Sequence, residues 1–300
     1  MRELQLILNG KSAGRDDVRA AVQRLRSEGL TVAVHVTWES GDAARLASAA
    51  ALVRETTVVA GGGDGTVNEV LNGFLSARSV ASLAILPLGT ANDFATSAGL
   101  PIHDPYAALL IAATATPKAC DVGVVNGRIF LNVASGGFGA EVTAATDAGL
   151  KSALGGAAYG IEAVLMAAKP YARSVTITTE AERMDCELVM FAVGNGRQAG
   201  GGAQLAPDAF INDGLLDLMV VPNHDHARFV QLLRDLARLK TGHVQGFTRV
   251  RARRFTLCAD AELQINLDGE PLRAKQFDFE VRPRAVLLVL PTHCPLLQPD

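Results

Sequence analysis

The sequence is poor in cysteine, in aromatic residues and in excess positive charge. Its four cysteines, Cys120, Cys186, Cys258 and Cys294, are far apart and none forms a CxxC pair, so neither a zinc ribbon nor a dense disulfide framework is predicted. A net charge of −3 provides no basic surface that could neutralise nucleic-acid phosphates. The composition therefore argues against nucleic-acid binding and predicts a protein of a reducing compartment, the cytoplasm.

Long apolar runs are also missing. The apolar part of Met1–Lys11 is too short for a signal peptide, and we predict that it forms the first strand. The most apolar stretch, Ser152–Ala168, is shorter than the roughly 20 residues of a membrane span and contains Glu162. We predict a buried or groove-lining helix there and no transmembrane segment.

Strand patterns and helix patterns alternate from residue 4 to about residue 115. The predicted strands are Leu4–Leu8, Thr31–Trp38, Thr57–Ala60 and Ser82–Leu88, and the predicted helices are Asp16–Glu28, Asp42–Glu55, Val67–Ala77, Ala91–Ala98 and Tyr106–Ala115. This alternation is typical of βαβ units with a largely parallel sheet, whose ligands bind beyond the carboxyl ends of the strands. The length of 300 residues predicts a second domain.

The pattern changes after about residue 118. Asn126-Gly127 predicts a tight hairpin turn with positive φ angles between Val122–Val125 and Arg128–Val133. Further strands are predicted at Val175–Thr179, Cys186–Val193, Leu215–Val221, Arg254–Leu257, Gln264–Leu267, Phe277–Val281 and Val286–Leu290, with one helix near Ala227–Lys240 and a candidate mobile loop at Gly194–Gly202. We therefore predict a mainly antiparallel second domain, a β-sandwich.

Four glycines surround one aspartate directly after a predicted buried strand. The run is Gly61, Gly62, Gly63, Asp64, Gly65 and Thr66, and it leads into a helix, which is the pattern of a phosphate cradle. A dinucleotide fingerprint would need glycine in place of Thr66, and the P-loop pattern GxxxxGK[ST] is absent from the sequence. A carboxylate here suggests an intervening metal ion or hydroxyl proton; the alternative is a turn aspartate. Thr66 and Glu69 also fit a capping box, so capping and ligand contact both remain open.

A second loop, after the next strand, also leads from a strand into a predicted helix start. Thr90 precedes Asp93 at a predicted helix start, and capping alone could explain the pair. Because both loops end neighbouring strands, we expect two helix N-termini to face one anion, which favours a nucleotide site. Asp268-Gly269 is typical of a hairpin turn, and Ile211–Leu215 fits either a turn or a divalent-cation loop.

Six segments in order carry a resemblance to a known family. They are GGGDGTVNEV, LPLGTANDFA, GGFGAEV, GNGRQAGGG, INDGLLDL and NLDGEPL, and they span essentially the whole chain. This ordered set resembles the diacylglycerol-kinase catalytic family, most closely the YegS-type bacterial lipid kinases. One departure is the first loop, Asn9–Ser12, which lacks the proline that many members of the family have there.

The resemblance implies a Rossmann-like N-terminal α/β domain over residues 1–129, to which residues 286–300 return, and a β-sandwich domain over residues 130–285. It implies an ATP-dependent lipid kinase whose nucleotide lies between the two domains. The implied nucleotide contacts are Thr37, Gly61, Gly62, Gly63, Asp64, Gly65, Thr66, Val67, Asn68, Glu69, Thr90 and Asp93. Glu270 matches the proton acceptor, with Asp64 its alternative as base or metal organiser and Asp268 a support. Asp213 and the carbonyls of Phe210 and Leu215 match a metal site for Mg²⁺ or Ca²⁺.

The resemblance implies a lipid substrate reached by peripheral contact with a membrane surface, along the Ser152–Ala168 helix. Diacylglycerol, phosphatidylglycerol and sphingoid bases remain open as substrates, and the oligomeric state is not predicted. Two other functions also remain open. One is a kinase for a soluble substrate, of the NAD kinase type, and the other is a non-catalytic nucleotide or lipid sensor.

Overall fold

The computed structural model describes residues 3–53, 55–77, 81–137, 172–223 and 247–299. The chain forms two units. The first consists of Met1–Val122, Ile211–Asp213 and Pro283–Asp300, and the second of Gly123–Phe210 and Gly214–Arg282. The helices predicted at Ser152–Ala168 and Ala227–Lys240 lie outside the described residues.

Strands and helices alternate in the first unit, as predicted. The elements are β1 (Glu3–Leu8), a 3-10 turn (Gly10–Ser12), α1 (Asp16–Ser27), β2 (Val32–Val36), α2 (Asp42–Ala51), β3 (Thr56–Gly62), α3 (Asp64–Ser76), β4 (Ser82–Pro87), α4 (Asp93–Ser97), α5 (Pro105–Thr114) and the first part of β5 (Pro117–Val125). All strand pairs in the order β2-β1-β3-β4 are parallel. Leu288, near the C-terminus, pairs in parallel with Leu83 of β4.

Burial explains why the central strands read as continuous apolar runs. Every residue of β3 and β4 is buried, because helices cover both faces of a parallel sheet. On one face, α1 and α5 pack over Leu4, Leu6 and Leu8 of β1. On the other, α2 packs closely on α3: a Cβ on Gly73 of α3 would lie 2.1 Å from the carbonyl oxygen of Ala44. Because the four strands are parallel, their carboxyl ends lie at one edge of the sheet.

The second unit is antiparallel throughout the described strand pairs. Its strands are the end of β5, β6 (Arg128–Phe130), β7 (Val133–Gly137), β8 (Arg173–Thr179), β9 (Arg183–Gly194), β10 (Gln198–Ala199), β11 (Ala203–Gln204), β12 (Leu216–Pro222), β13 (Thr248–Ala252), β14 (Arg254–Leu267) and most of β15 (Glu270–Val289). Both β9 and β14 pair with β8 in their first half and with β7 in their second half. These long strands thereby join β7 and β8 into one antiparallel assembly, which agrees with the predicted, mainly antiparallel β-sandwich domain.

Phenylalanines fill the centre of this sandwich. The Phe279 ring stacks on Phe255 with centroids 4.8 Å apart, and Phe130 and Phe191 meet it edge-on at 6.4 Å and 6.5 Å. A Cβ on Gly123 would lie 2.1 Å from the Phe130 ring, so glycine is needed beside it. A sequence with few aromatic residues therefore concentrates several of them in one core.

Several strand bounds differ from the prediction. The segments predicted at Arg254–Leu257 and Gln264–Leu267 belong to the single strand β14, with a register shift between Cys258 and Leu263. Polar exposed positions interrupt the apolar pattern there, but the strand itself continues across the irregularity. The predicted turn at Asn126-Gly127 is confirmed, with φ angles of 47° and 81°.

Candidate active site

The glycine–aspartate loop connects a buried strand directly to a helix. β3 ends at Gly62, and α3 begins at Asp64 with Gly63 as its N-cap and no side-chain cap hydrogen bond. A Cβ on Gly62 would lie 2.5 Å from the Cβ of Thr66, so the turn is closed too tightly for any other residue. The first turn of α3 therefore presents backbone amides without a capping side chain, which is how helix N-termini bind anions.

The interpretation of Thr66 and Glu69 as a capping box is wrong. α3 begins at Asp64, three residues before the predicted start, so Thr66 lies inside the first turn. Its hydroxyl accepts a hydrogen bond from the side-chain amide of Asn9, at 3.0 Å. Glu69 Oε1 is buried, and no hydrogen-bond donor reaches it from the part of the chain that the structure describes. Neither side chain caps the helix, so ligand contact stays the prediction for both.

Asp64 links the two predicted loops. Its carboxylate accepts hydrogen bonds from the backbone N–H groups of Asp93, at 3.3 Å, and Phe94, at 3.4 Å, which are the first residues of α4. Burial raises the pKa of the Asp64 carboxyl, and these backbone hydrogen bonds oppose the rise without cancelling it. A carboxylate that is partly desolvated and whose hydrogen bonds from α4 are long is well suited to a cation or a proton.

Two glycines hold the loops together. A Cβ on Gly89 would lie 2.5 Å from the Cα of Gly63, so only a pair of glycines permits this approach. Asn92 closes the second loop: its side chain accepts from the Gly89 N–H at 2.8 Å and donates to the Gly89 carbonyl at 2.9 Å. Asn92 adopts the left-handed conformation, with φ of 50°.

The predicted cap at Thr90 is also wrong. α4 begins at Asp93, its N-cap is Asn92, and Thr90 is exposed outside the helix. The amides at the start of α4 donate to Asp64, so they face a protein carboxylate. Asp93 is buried, whereas Thr90 is accessible to a ligand.

The loops after β1 and β2 join the same edge of the sheet. The Gly10 N–H donates to the hydroxyl of Thr37 at 3.1 Å, and a Cβ on Gly10 would lie 2.4 Å from the Thr37 carbonyl oxygen. The Asn9 N–H donates to the Gly61 carbonyl at 2.8 Å. Asn9 and Gly10 therefore connect three loops without the proline that many family members have.

Hydrogen bonds and glycine contacts thus gather four loops at the carboxyl edge of β2-β1-β3-β4. The side chains of Thr37, Asp64 and Thr66 each accept a hydrogen bond from another of these loops. Val67 and Asn68 are buried in α3, and the Val67 N–H donates to the Gly63 carbonyl at 3.0 Å. Sequence reasoning missed the connecting roles of Asn9, Gly10, Gly89 and Asn92; an Asn or Gly in the loops after β1, β3 and β4 was the available signal.

Asp268 occupies the β14–β15 turn of the second unit. The predicted Asp-Gly hairpin is confirmed: Leu267 pairs with Glu270, and the φ angles of Asp268 and Gly269 are 49° and 105°. The Asp268 carboxylate accepts from three successive backbone N–H groups, those of Leu131 at 2.6 Å, Asn132 at 3.1 Å and Val133 at 2.9 Å. These bonds tie the turn to the β6–β7 connection.

Glu270 is exposed at the first position of β15, two residues after Asp268. The turn that precedes it is therefore anchored, while its own carboxylate is accessible. This geometry suits a base that must meet a substrate hydroxyl.

The predicted metal ligands Phe210, Asp213 and Leu215 follow one another at a turn, where Gly214 has φ of 72°. Phe210 and Leu215 belong to the second unit and Asp213 to the first. The Phe210 ring lies under the guanidinium of Arg197, 4.9 Å from its centroid. This predicted set, two backbone carbonyl groups and one carboxylate, stays a prediction.

Over the ranges that the structure describes, no three His, Cys, Asp or Glu side chains cluster in a way that could hold a metal ion. Among the helices of the same ranges, none has the length and apolarity needed to cross a membrane.

A parallel sheet whose loops place glycines, an acid and an uncapped helix start at one edge is typical of α/β proteins that bind phosphates. Family models match the chain in two consecutive parts. Residues 3–125 match the diacylglycerol kinase catalytic domain, and residues 132–290 match the YegS C-terminal NAD kinase beta sandwich-like domain.

Relatives match over nearly the whole length. A protein of Pseudomonas aeruginosa (strain UCBPP-PA14), named "Probable lipid kinase YegS-like", is 44% identical, covering 98% of this chain and 96% of its own. A protein of the same name from Yersinia enterocolitica is 43% identical, covering 97% and 98%. A crystal structure of a diacylglycerol kinase from Bacillus anthracis str. Sterne matches with a TM-score of 0.75 and 25% identity, covering 97% of each chain.

The chain belongs to the diacylglycerol-kinase catalytic family, among the YegS-like lipid kinases. It is therefore a kinase, an enzyme that transfers a phosphoryl group, and its class of substrate is lipid.

Proposed function

We propose that this enzyme transfers the γ-phosphate of ATP to the hydroxyl group of a membrane lipid such as diacylglycerol or phosphatidylglycerol. The observation that carries the proposal is the edge formed by the loops after β1 to β4, with the half-buried Asp64 between two helix starts. We place the reaction in the cytoplasm, where ATP is available, with peripheral contact to the membrane surface.

Backbone amides of Gly61–Gly65 bind the phosphates in this proposal. Because phosphoryl transfer needs little covalent help from the protein, positioning and charge stabilisation supply most of the rate enhancement. Gly62, Gly63 and Gly89 allow backbone to approach the phosphates closely, and Thr37 and Thr90 present hydroxyl groups to the nucleotide. Asn9 fixes Thr66 and thereby the first turn of α3.

A divalent cation fits the first unit. Asp64 is a carboxylate whose pKa is raised by burial, and the buried Glu69 Oε1 has no donor among the described residues. Such oxygen ligands suit Mg²⁺. When bound, the ion would neutralise charge on the phosphate oxygens. Asp64 would hold it.

We assign Glu270 as the base that accepts the proton of the lipid hydroxyl, with Asp64 its alternative. Asp268 supports Glu270 through the turn that it anchors. A Glu270→Gln enzyme should lose about 10²- to 10⁴-fold in turnover, the usual contribution of general base catalysis. Normal turnover of this variant would remove Glu270 from the base role.

We further propose that Asp213, with the carbonyls of Phe210 and Leu215, holds a second divalent cation, Mg²⁺ or Ca²⁺, with a structural role. An Asp213→Asn enzyme should then lose the stabilisation against unfolding that the cation gives the native enzyme. Equal stabilisation of both proteins by Mg²⁺ and by Ca²⁺ would exclude this site.

One experiment addresses ATP and the lipid together. The enzyme is incubated with γ-labelled ATP and a total lipid extract, and the labelled product is identified. We expect a phosphorylated lipid whose rate of formation is about 10²- to 10⁴-fold lower in a parallel reaction with the Glu270→Gln enzyme. Faster labelling of NAD than of any lipid would instead indicate a kinase for a soluble substrate. ATP binding without any labelled product would indicate a sensor.

A further inference from the structure

Three large apolar side chains are exposed along one edge of the first unit. Val34 and Val36 lie on β2 and Trp38 follows two residues later, with 37%, 48% and 94% of their surface exposed. We call these three residues the edge surface. Contiguous exposed apolar side chains on a soluble domain usually mark an interaction site, and a fully exposed indole is unusual.

The sheet explains why Val34 and Val36 share one face. Val34 pairs with Leu6 and Val36 with Leu8, in a register that places every second residue of β2 on the face packed by α1 and α5. Helices cover Leu6 and Leu8, whereas β2 is the outermost strand of this sheet among the described residues. The apolar face of the sheet therefore continues beyond its helical cover, up to Trp38.

The exposure of Trp38 does not result from a loose loop. Its backbone N–H donates to Asp42 Oδ2 at 2.8 Å, and the Glu39 N–H donates to the same oxygen at 3.1 Å. Asp42 is held in turn by Arg45, at 2.6 Å. The loop thus fixes the backbone of an indole that has almost no contact with the protein.

A second copy of the chain is a poor occupant. An outer strand recruits another strand through its free backbone groups, but the Arg26 guanidinium donates to the Val32 carbonyl through Nε at 3.1 Å and through a terminal nitrogen at 2.6 Å. β2 has only five residues, and its first carbonyl is already occupied, which shortens the ladder open to another strand.

The properties of the edge surface fit a lipid bilayer. Tryptophan has an apolar body and a polar N–H group, and it concentrates at membrane–water interfaces. Charges of both signs flank the surface: exposed Lys11 and Arg26 are cationic, exposed Glu39 is anionic, and Arg45 pairs with Asp42. We propose that Val34, Val36 and Trp38 form the surface by which this lipid kinase docks on a membrane. The inference rests on the proposed function, since a lipid substrate requires contact with a bilayer.

Trp38 is the only tryptophan of the sequence, so its fluorescence reports on this surface alone. The enzyme is titrated, without ATP, with vesicles of uncharged phosphatidylcholine. We expect a blue shift of the emission and protection from a soluble quencher, with little dependence on salt. Cosedimentation with the same vesicles should weaken about tenfold for Trp38→Ser and for Val36→Ser, the factor that corresponds to burying one large apolar side chain.

Leu52 supplies the matched control, because it is an exposed apolar residue at the end of α2, outside the edge surface. Leu52→Ser should bind vesicles like the original enzyme. All three variants should phosphorylate lipid dispersed in detergent micelles at the original rate, which separates docking from the reaction.

Three results would overturn the inference. Unchanged emission with vesicles, from an enzyme that still phosphorylates lipid, would exclude docking and leave the proposed function intact. An emission change caused by ATP and not by vesicles would assign the indole to the nucleotide site. A shift that depends on protein concentration alone would assign the surface to a second copy. If the original enzyme phosphorylated no lipid in detergent micelles, the proposed function itself would be refuted.

Discussion

Replacing Asp268 by asparagine separates a structural role from a chemical one. Three consecutive backbone N–H groups, from Leu131 to Val133, donate to this carboxylate, and the shortest of these bonds is 2.6 Å. An amide has one acceptor oxygen and turns an N–H₂ group toward the remaining donors. We therefore expect Asp268→Asn to disrupt the anchored turn before it affects any chemistry.

The magnitude follows from the bonds that are lost. Hydrogen bonds to a charged group contribute about 1.5–3 kcal/mol each, and a buried donor left without an acceptor costs a similar amount. If the asparagine oxygen keeps at most two of the three donors, the free energy of unfolding should fall by about 3 kcal/mol. Glu270→Gln alters an exposed side chain and should change it by less than about 0.5 kcal/mol.

The assay compares both variants in urea unfolding and in lipid phosphorylation. Asp268→Asn should lose stability together with activity, whereas Glu270→Gln should lose activity alone. An Asp268→Asn enzyme as stable as the original and yet inactive would refute the structural role and place Asp268 in the reaction.

Three further predictions concern the first unit. Asp64→Asn should be inactive and more stable against unfolding than the original enzyme at pH 7. Burial raises the pKa of Asp64 in the folded enzyme above 3.8, so the original enzyme loses stability as pH rises from 3.8 through the folded pKa. The difference in stability should therefore disappear in urea titrations at pH 3. Asp42→Asn should flatten the acid limb of the stability curve. Arg45 and two backbone N–H groups lower the Asp42 pKa to about 2, so its stabilisation is present above pH 3.8 and is lost as pH falls toward 2. Gly89→Ala places a Cβ 2.5 Å from the Cα of Gly63, so it should lower the free energy of unfolding by about 1–3 kcal/mol and raise the KM for ATP. Gly14→Ala is the control: its Cβ would have no atom within 4 Å, so neither quantity should change.

Local patterns predicted most elements of the first unit because helices bury β1, β3 and β4. The helix predicted at Asp16–Glu28 is α1, Asp16–Ser27, since its buried positions Val18, Ala21, Val22 and Leu25 repeat at helical spacing. The strand predicted at Thr57–Ala60 is β3, which continues through two further glycines. Periodicity ends where glycine begins, so the strand end could not be read from it.

The helix starts at the loops were predicted wrongly for one physical reason. A capping box assumes that a side chain bonds to its own helix, but Thr66 bonds to Asn9 of another loop, and the α4 amides bond to Asp64. Such partners are 57 and 29 residues apart in sequence. No local pattern encodes them, and the contact of Asp268 with Leu131 across 137 residues is similar.

Asp64 shows why a site can depart from the local rules that predict the fold. At the first position of α3 it is a favourable helix residue, and its bonds to α4 add a second reason for its place. Burial nevertheless raises its pKa, so the folded enzyme retains a carboxylate that is less stable in its charged form than in water. A purely structural residue at this position would do better as asparagine, which gives up one of two long backbone hydrogen bonds but removes the desolvated charge. The charge has a use when a cation occupies the loop, because the ion then compensates the desolvation that the apo enzyme bears. A gain in stability on Mg²⁺ addition that Asp64→Asn abolishes would support this reasoning, and equal stabilisation of both proteins would contradict it.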